Sequence, residues 1–111
     1  MQLIKTIIRP QKLTEVQDAL NELPVSGMTI SEVLGRGRTP GVTTVYRGVA
    51  YVSRTRRQMQ IEVIVADDVA DDAVRAILKA ARTGRAGDGV IVVTPITDSY
   101  RFRTGDWEGT S

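Results

Sequence analysis

Two segments with the spacing of amphipathic helices, each set between apolar β-forming runs, constrain the fold of this chain most strongly. Apolar residues recur at intervals of three and four in the first segment, at Leu13, Val16, Leu20 and Leu23, and in the second, at Val69, Ala73, Val74, Ile77 and Ala81. This spacing places an apolar stripe on one face of each helix. Asp67 or Asp68 is expected to cap the second helix, which runs to Arg82.

The runs between the helices predict a sheet. The expected strands are residues 1–9, Met28 to Leu34, Met59 to Val65 and Val90 to Ile96, with a short fifth strand from Ser99 to Arg103. The resulting order, β-α-β-β-α-β, is that of the ferredoxin-like α+β fold.

Two helices can cover only one face of a four-stranded sheet, so the other face must be wet or covered by another subunit. Apolar residues are expected on both faces of the sheet, at Leu3, Ile7, Met28, Ile30, Ile61, Val63, Ile91 and Val93. This composition favours an oligomer.

Composition limits the classes of function. With 111 residues, of which 41% are hydrophobic and 25% charged, the chain is predicted to form a single soluble domain over residues 1–111. No apolar run approaches the roughly 20 residues of a membrane span, and a signal-peptide layout is missing, so we expect a cytoplasmic protein that is not embedded in a membrane. The sequence has no Cys and no His. Disulfides, thiolate or imidazole metal sites and His-dependent triads are thereby excluded, and we expect neither an enzyme nor a prosthetic group.

The segment from Gly35 to about Arg57 loses both periodicities and is strongly basic. Between Arg36 and Arg57 it holds six arginines and no acidic residue, although the net charge of the chain is only +2. Irregular segments of this length tend to be functional. Short β segments at Val42–Tyr46 and Ala50–Val52 predict a projecting hairpin, and the repelling charges predict mobility when it is free.

The stretch Thr83-Gly84-Arg85-Ala86-Gly87-Asp88-Gly89 is a candidate phosphate site. Its glycines permit tight turns and close approach of backbone N–H groups, which can form an anion-binding nest. Arg101 and Arg103 follow, and their alternation would place both on one side of an extended segment. A helix cap followed by a simple turn is the alternative interpretation of the glycines.

Four stretches together resemble the PII signal-transduction proteins over nearly the whole chain. Gly35-Arg36-Gly37-Arg38 and Gly41 are similar to the opening of the family's T-loop, and residues 46–51 to its hexapeptide, with Val49 where a small residue is usual. Residues 80–84 with Gly87-Asp88-Gly89 resemble its nucleotide-binding B-loop, and residues 101–105 its C-terminal arginine segment.

The resemblance implies a homotrimer of ferredoxin-like subunits that binds adenine nucleotides in the clefts between subunits. The base would contact Thr29 and the main chain near Ile64, with Glu62 close to the ribose. The phosphates would lie beside Gly35, Gly37, Arg38, Thr83, Gly87, Asp88 and Gly89, while Arg101 and Arg103 would reach in from the neighbouring chain.

The implied function is non-enzymatic signalling in nitrogen or carbon metabolism. ADP, AMP or ATP would act as the effector, and the T-loop, residues 36–57, would control a membrane transporter or an enzyme. Residues 104–111 would form a C-terminal tail. Tyr51 stands at the position that some family members modify by nucleotidylylation.

Three positions depart from the family's pattern. Thr39 replaces a glutamine that helps to ligate magnesium and frame 2-oxoglutarate, Gln58 replaces a lysine for the 2-oxoglutarate carboxylate, and Val90 replaces a phosphate-binding lysine. Arg9 and Gly37 remain of the 2-oxoglutarate set. Because unpaired buried charges are costly, we expect no usual 2-oxoglutarate response.

Other functions stay open at this point. The basic loop could bind nucleic acid or another polyanion, although few aromatic residues are present for stacking on bases. Bicarbonate or another anion could be sensed together with the nucleotide. Slow ATP hydrolysis, with Asp88 or Glu62 positioning water, is the enzymatic alternative.

Overall fold

Six strands and two α-helices are formed by the described residues, 1–25, 27–36, 42–53 and 55–105, in this computed structural model. The elements in chain order are β1 (Gln2–Ile8), a 3-10 turn (Pro10–Lys12), α1 (Leu13–Asn21), β2 (Thr29–Gly35), β3 (Val42–Tyr46), β4 (Val49–Ser53), β5 (Arg56–Val65), α2 (Asp67–Ala81) and β6 (Gly89–Pro95).

Four strands form one antiparallel sheet in the order β2-β5-β1-β6. Ile4 of β1 is paired with Val63 of β5 on one side and with Val93 of β6 on the other, so β1 is a central strand. β2 and β6 are the two edge strands. This topology confirms the predicted ferredoxin-like α+β fold.

The core lies between one face of the sheet and the two helices. Because side chains alternate along a strand, β1 directs Ile4, Thr6 and Ile8 toward the helices, where they meet Leu20 of α1 and Ile77 of α2. Burying each large aliphatic side chain contributes roughly 1.5–3 kcal/mol. The buried Thr6 hydroxyl donates to the Val90 carbonyl at 3.1 Å, which satisfies its polar group.

The opposite face of the sheet is mixed in character, and here the expectation of an apolar second face was wrong. Ile61 and Val63, which were counted among the apolar residues of the two faces, both lie in the helix-covered core. The register places Lys5 opposite Glu62 and Ile7 opposite Gln60 on the face without helices. Successive side chains of a strand point to opposite faces of the sheet, so the register decides which residues share a face. Counting the apolar residues of a whole strand does not separate the two faces.

The predicted hairpin within the long basic segment is confirmed. β3 and β4 pair in antiparallel fashion and form a two-stranded sheet of their own. Their turn is Arg47-Gly48, with φ angles of 50° and 77°. Positive φ at both central residues twists the turn in the sense that the strands require.

Two local predictions were wrong. α2 is preceded by Ala66 in the capping position without a side-chain cap, and Asp67 instead forms an ion pair with the N-terminal ammonium at 2.9 Å. Residues 99–103 do not form a strand, because Tyr100 makes an isolated bridge and residues 102–104 turn. Across the described ranges, no helix has the length and apolar character needed to cross a bilayer.

Candidate functional site

The loop between α2 and β6 is organised around the carboxylate of Asp88. The backbone N–H groups of Thr83 and Gly84 each donate to Asp88 Oδ2 at 2.8 Å, and the Thr83 hydroxyl donates to Oδ1. Arg9, at the end of β1, donates from Nε to the same Oδ1 at 3.0 Å. Its Nη2 donates to the Ala86 carbonyl at 2.8 Å. The loop is therefore tied to itself and to the central strand.

These contacts set the electrostatic state of Asp88. The hydrogen bond from the Thr83 hydroxyl, followed by those from the Thr83 amide, Arg9 and the Gly84 amide, holds the pKa of Asp88 well below its ordinary value of 3.8. The carboxylate is ionised at neutral pH, and its oxygens accept hydrogen bonds from the loop and from Arg9. A group so saturated is suited to positioning the loop and not to proton transfer.

All three glycines of this loop have backbone conformations that side chains disfavour. Gly84, Gly87 and Gly89 have φ of 83°, 93° and 114°. A Cβ at Gly89 would lie 1.7 Å from the Ile7 carbonyl oxygen. The backbone of the loop therefore meets β1 at a distance that only glycine allows.

A second group of predicted residues meets in a cleft at the other end of the strands. This cleft, of about 410 Å³, is lined by Leu3, Gly27, Met28, Thr29, Glu62, Ile64 and Arg101. Thr29 and Glu62 are opposite each other in the register of β2 and β5. Gln60 donates to Glu62 Oε1 at 2.7 Å, which orients the carboxylate. The cleft combines an apolar wall with one acid, one hydroxyl and one guanidinium.

The C-terminal arginines do not occupy equivalent places. Arg101 lines the cleft of its own chain, where the resemblance implied an arginine from a neighbouring chain. The Gly105 N–H donates to the Arg101 carbonyl at 2.7 Å and closes a turn. Residues 102–104 turn, so the extended segment predicted for Arg101 and Arg103 was wrong; Arg103 is exposed and is not among the residues that line the cleft of its own chain.

The predicted site residues thus fall into two groups at opposite edges of the sheet. Thr29 belongs to edge strand β2, whereas Gly89 begins edge strand β6, with β5 and β1 between them. Three strand spacings of about 4.8 Å separate the edges. One chain does not bring the two groups together on one edge.

The remaining predicted residues lie at the base of the basic loop or beyond the described ranges. Gly35 ends β2, and the Gln58 side chain lies against its backbone, since a Cβ there would be 1.7 Å from Gln58 Oε1. Gly37 and Arg38 lie outside the described residues. Tyr51 belongs to β4, but its side chain is also outside what the structure describes.

Sequence reasoning missed two features of the site. It placed Arg9 only in a 2-oxoglutarate set, whereas the structure pairs Arg9 with Asp88. It also overlooked Leu3 as a wall of the cleft. The position of Arg9 directly after the central strand was an available signal, because that strand ends beside the start of β6.

A separate apolar pocket of about 530 Å³ lies between α2 and the start of β6. Its apolar wall includes Val74, Ile77, Leu78, Ala81, Val90 and Ile91. Asp88 and Gly89 also line it, so it adjoins the Asp88 loop. We call it the α2–β6 pocket.

Comparison with known proteins places the chain among regulatory proteins. The family described as Nitrogen regulatory protein P-II matches residues 1–106. A curated relative of that name from Azospirillum brasilense is 45% identical over 109 residues, which cover 98% of this chain and 97% of the relative. A relative in Cereibacter sphaeroides is 45% identical, and one in Mesorhizobium japonicum 46% identical, each over 106 residues that cover 96% of this chain and 95% of the relative.

Proposed function

Because this chain belongs to the P-II family of nitrogen regulatory proteins, which are signal transducers and not enzymes, we propose that it is a regulator whose effector is an adenine nucleotide. The observation that supports this proposal is the convergence of Thr29, Glu62, Ile64 and Arg101 on one cleft. These residues come from three separate parts of the chain, and the nucleotide interpretation had selected all four.

The chemistry of the cleft suits a nucleoside with an attached phosphate. Apolar side chains such as Leu3 and Ile64 can cover the faces of a base. The Glu62 carboxylate, oriented by Gln60, can accept hydrogen bonds from ribose hydroxyls. Arg101 supplies a guanidinium that can bind phosphate oxygens in a bidentate manner.

The second half of the proposed site comes from a neighbouring copy of the chain. The Asp88 loop is at the β6 edge, and copies packed edge to edge would bring it to the Thr29 cleft at the β2 edge of the next. Gly87, Asp88 and Gly89 would then form the phosphate nest, with Thr83 holding the loop. We infer a homotrimer, in which the mixed open face of each sheet is covered by its neighbours.

The basic loop, residues 36–57, is proposed as the surface that contacts a target protein. Nucleotide binding at the base of this loop, near Gly35, would favour one loop arrangement over another only if the two differ in affinity for the ligand. A target with an acidic surface would complement the arginines. The target would be a transporter or an enzyme of nitrogen metabolism. We infer that the regulator acts in the cytoplasm.

Calorimetry with ATP, ADP, AMP and a guanine nucleotide tests the effector. Adenine nucleotides should bind and guanine nucleotides should bind much more weakly. Glu62→Gln should weaken the binding of adenine nucleotides. Glu32→Gln, on an exposed part of β2 outside the cleft, should leave that affinity unchanged. The proposal would be contradicted if Glu62→Gln and Glu32→Gln bound adenine nucleotides with the same affinity, or if the parent chain bound none. Salt-dependent binding of generic DNA would instead favour the polyanion alternative.

A further inference from the structure

Phe102 is a fully exposed aromatic side chain held on an ordered turn. Its relative exposure is 107%, the largest among the exposed apolar side chains of the described residues. The neighbouring Arg101 lines the nucleotide cleft, and the hydrogen bond from Gly105 to the Arg101 carbonyl fixes the turn that carries Phe102. An aromatic group presented to water in this way costs free energy unless a partner covers it.

The α2–β6 pocket offers a complementary surface. Its volume of about 530 Å³ is ample for one phenyl ring, and most of its wall is aliphatic, with Thr6, Arg82 and Asp88 as the polar lining residues. Leu78 and Val90 are 48% and 52% exposed, so the pocket opens to the outside. Val90, at the start of β6, also lines the pocket.

Phe102 does not reach this pocket within one chain. Arg101 lies beside Leu3, whereas the pocket is lined by Ile7 and Ile8 farther along β1. Four residues of extended strand span about 13 Å, and the two features also belong to opposite edges of the sheet. A Phe102 side chain that fills the pocket therefore belongs to a second copy of the chain.

We propose that Phe102 of one copy inserts into the α2–β6 pocket of the next copy and anchors the subunit interface. This inference rests on the proposed function, which joins the Arg101 cleft of one chain to the Asp88 loop of its neighbour. Phe102 is adjacent to Arg101, and the pocket shares Asp88 and Gly89 with that loop. Packing that joins the Arg101 cleft of one copy to the Asp88 loop of the next therefore brings Phe102 and the pocket to the same interface.

The contact is head-to-tail, since the inserting side chain and the pocket are different surfaces of the same molecule. Heterologous contacts of this kind generate closed rings when the rotation between copies closes. A central aromatic anchor in a desolvated pocket is the typical form of an interface hot spot. Phe102 is thus assigned the role of anchoring the copies between which the nucleotide binds.

Crosslinking tests the contact directly, because the natural sequence has no cysteine. Chains carrying Phe102→Cys and chains carrying Leu78→Cys, distinguished by mass, are co-expressed and treated with a short bis-maleimide. The proposal predicts crosslinked pairs of unlike chains. The matched control replaces Leu78→Cys by Asp18→Cys on the exposed side of α1, and this pair should not crosslink.

A second measurement concerns assembly. Phe102→Ala should raise the dissociation constant of the assembly at least about 30-fold, the equivalent of a 2 kcal/mol hot spot, whereas Phe102→Leu should retain most of the affinity. Since Phe102 is exposed in the single chain, circular dichroism should show an unchanged fold for both variants.

The outcomes separate this inference from the proposed function. Nucleotide binding without a crosslink between Phe102→Cys and Leu78→Cys would overturn the anchor while the regulator's effector site stands. A specific crosslink without any nucleotide binding would support the anchor and contradict the proposed effector. Equal crosslinking to Asp18→Cys, or unchanged assembly of Phe102→Ala, would also overturn the anchor.

Discussion

The Asp88 loop and the Arg101–Gly105 segment both carry residues of the proposed nucleotide site, but they are held in very different ways. The Asp88 carboxylate accepts hydrogen bonds from two backbone amides, a hydroxyl and Arg9. The Arg101–Gly105 segment is closed by a backbone hydrogen bond across its turn, and Phe102 has no cover.

This difference shows which half of the site is organised before a ligand or neighbour arrives. The Asp88 loop has its geometry set within one chain, so it can present backbone groups without further ordering. The Arg101–Gly105 segment places its side chains at a surface where a second copy and a phosphate would meet them. Preorganised groups bind with less loss of conformational entropy than groups that must be ordered.

The largest expected effect breaks the organised half through its backbone. Gly89→Ala should destabilise the chain by about 3 kcal/mol or more, because the new Cβ would overlap the Ile7 carbonyl at a positive φ. Gly84→Ala is the matched control, since Gly84 also has a positive φ but nothing lies within 4 Å of its Cβ position. It should cost only about 1 kcal/mol. Urea unfolding measures both, and equal losses would show that the contact with β1 is unimportant.

The next effect addresses the exposed half. Arg101→Ala should weaken ADP binding about 10- to 100-fold, through loss of a charge-assisted contact of about 1.5–3 kcal/mol. Arg103→Ala should have a smaller effect, because Arg103 does not line the cleft of its chain. Arg75→Ala, on exposed α2, is the control in calorimetry. A larger loss for Arg103 than for Arg101 would reverse the assignment of the two arginines.

Asp88→Asn should loosen the organised half while leaving the other half unchanged. The amide cannot pair with Arg9 as a carboxylate does, and it offers one acceptor oxygen where two are used. Hydrogen exchange at the Thr83 and Gly84 amides should accelerate, whereas exchange at Gly105 should stay as in the parent. Asp18→Asn serves as the control. Slow exchange at Thr83 in Asp88→Asn would show that the loop holds its shape without the carboxylate.

The pH dependence of stability should report the same carboxylate. The pKa of Asp88 is lowered in the folded chain, so its stabilising contribution is fully present above the ordinary value of 3.8 and is lost as pH falls below that value. The stability difference between the parent and Asp88→Asn should therefore shrink in strong acid. Hydrogen bonding to the N-terminal ammonium also lowers the pKa of Asp67, and Asp67→Asn is the matched comparison. A difference that does not change with pH would contradict the role of the ionised Asp88.

The smallest expected effect is the absence of a response. Addition of 2-oxoglutarate with magnesium should leave the affinity for ATP unchanged, because Thr39 replaces the family's glutamine and Gln58 and Val90 replace its lysines. In addition, Arg9 is already paired with Asp88. ADP or AMP should bind at least as tightly as ATP. Calorimetry with and without 2-oxoglutarate checks this, and enhancement of ATP binding would show that Arg9 leaves Asp88 for the ligand.

The sequence alone determined the order of elements and the chemistry that the chain can use. Periodicities of 2 and 3.6 located the strands and both helices because burial of one face imposes those patterns. The hairpin predicted from the short β segments at Val42–Tyr46 and Ala50–Val52 followed from local signals. The lack of Cys and His excluded whole classes of sites, and the spacing of glycines and arginines indicated the family.

The tertiary structure decided what depends on contacts between distant parts of the chain. The sheet register assigned Ile61 and Val63 to the core and left a mixed open face, which an apolar count could not resolve. Asp67 paired with the N-terminus in place of capping its helix, and Arg9 paired with Asp88 across 79 positions of sequence. Such pairings depend on which strand ends and loops become neighbours in the folded chain, and local sequence patterns do not predict those neighbours. The separation of Thr29 and Gly89 onto opposite edges likewise appears only once strand order is known, because sequence distance says nothing about which strands lie between them.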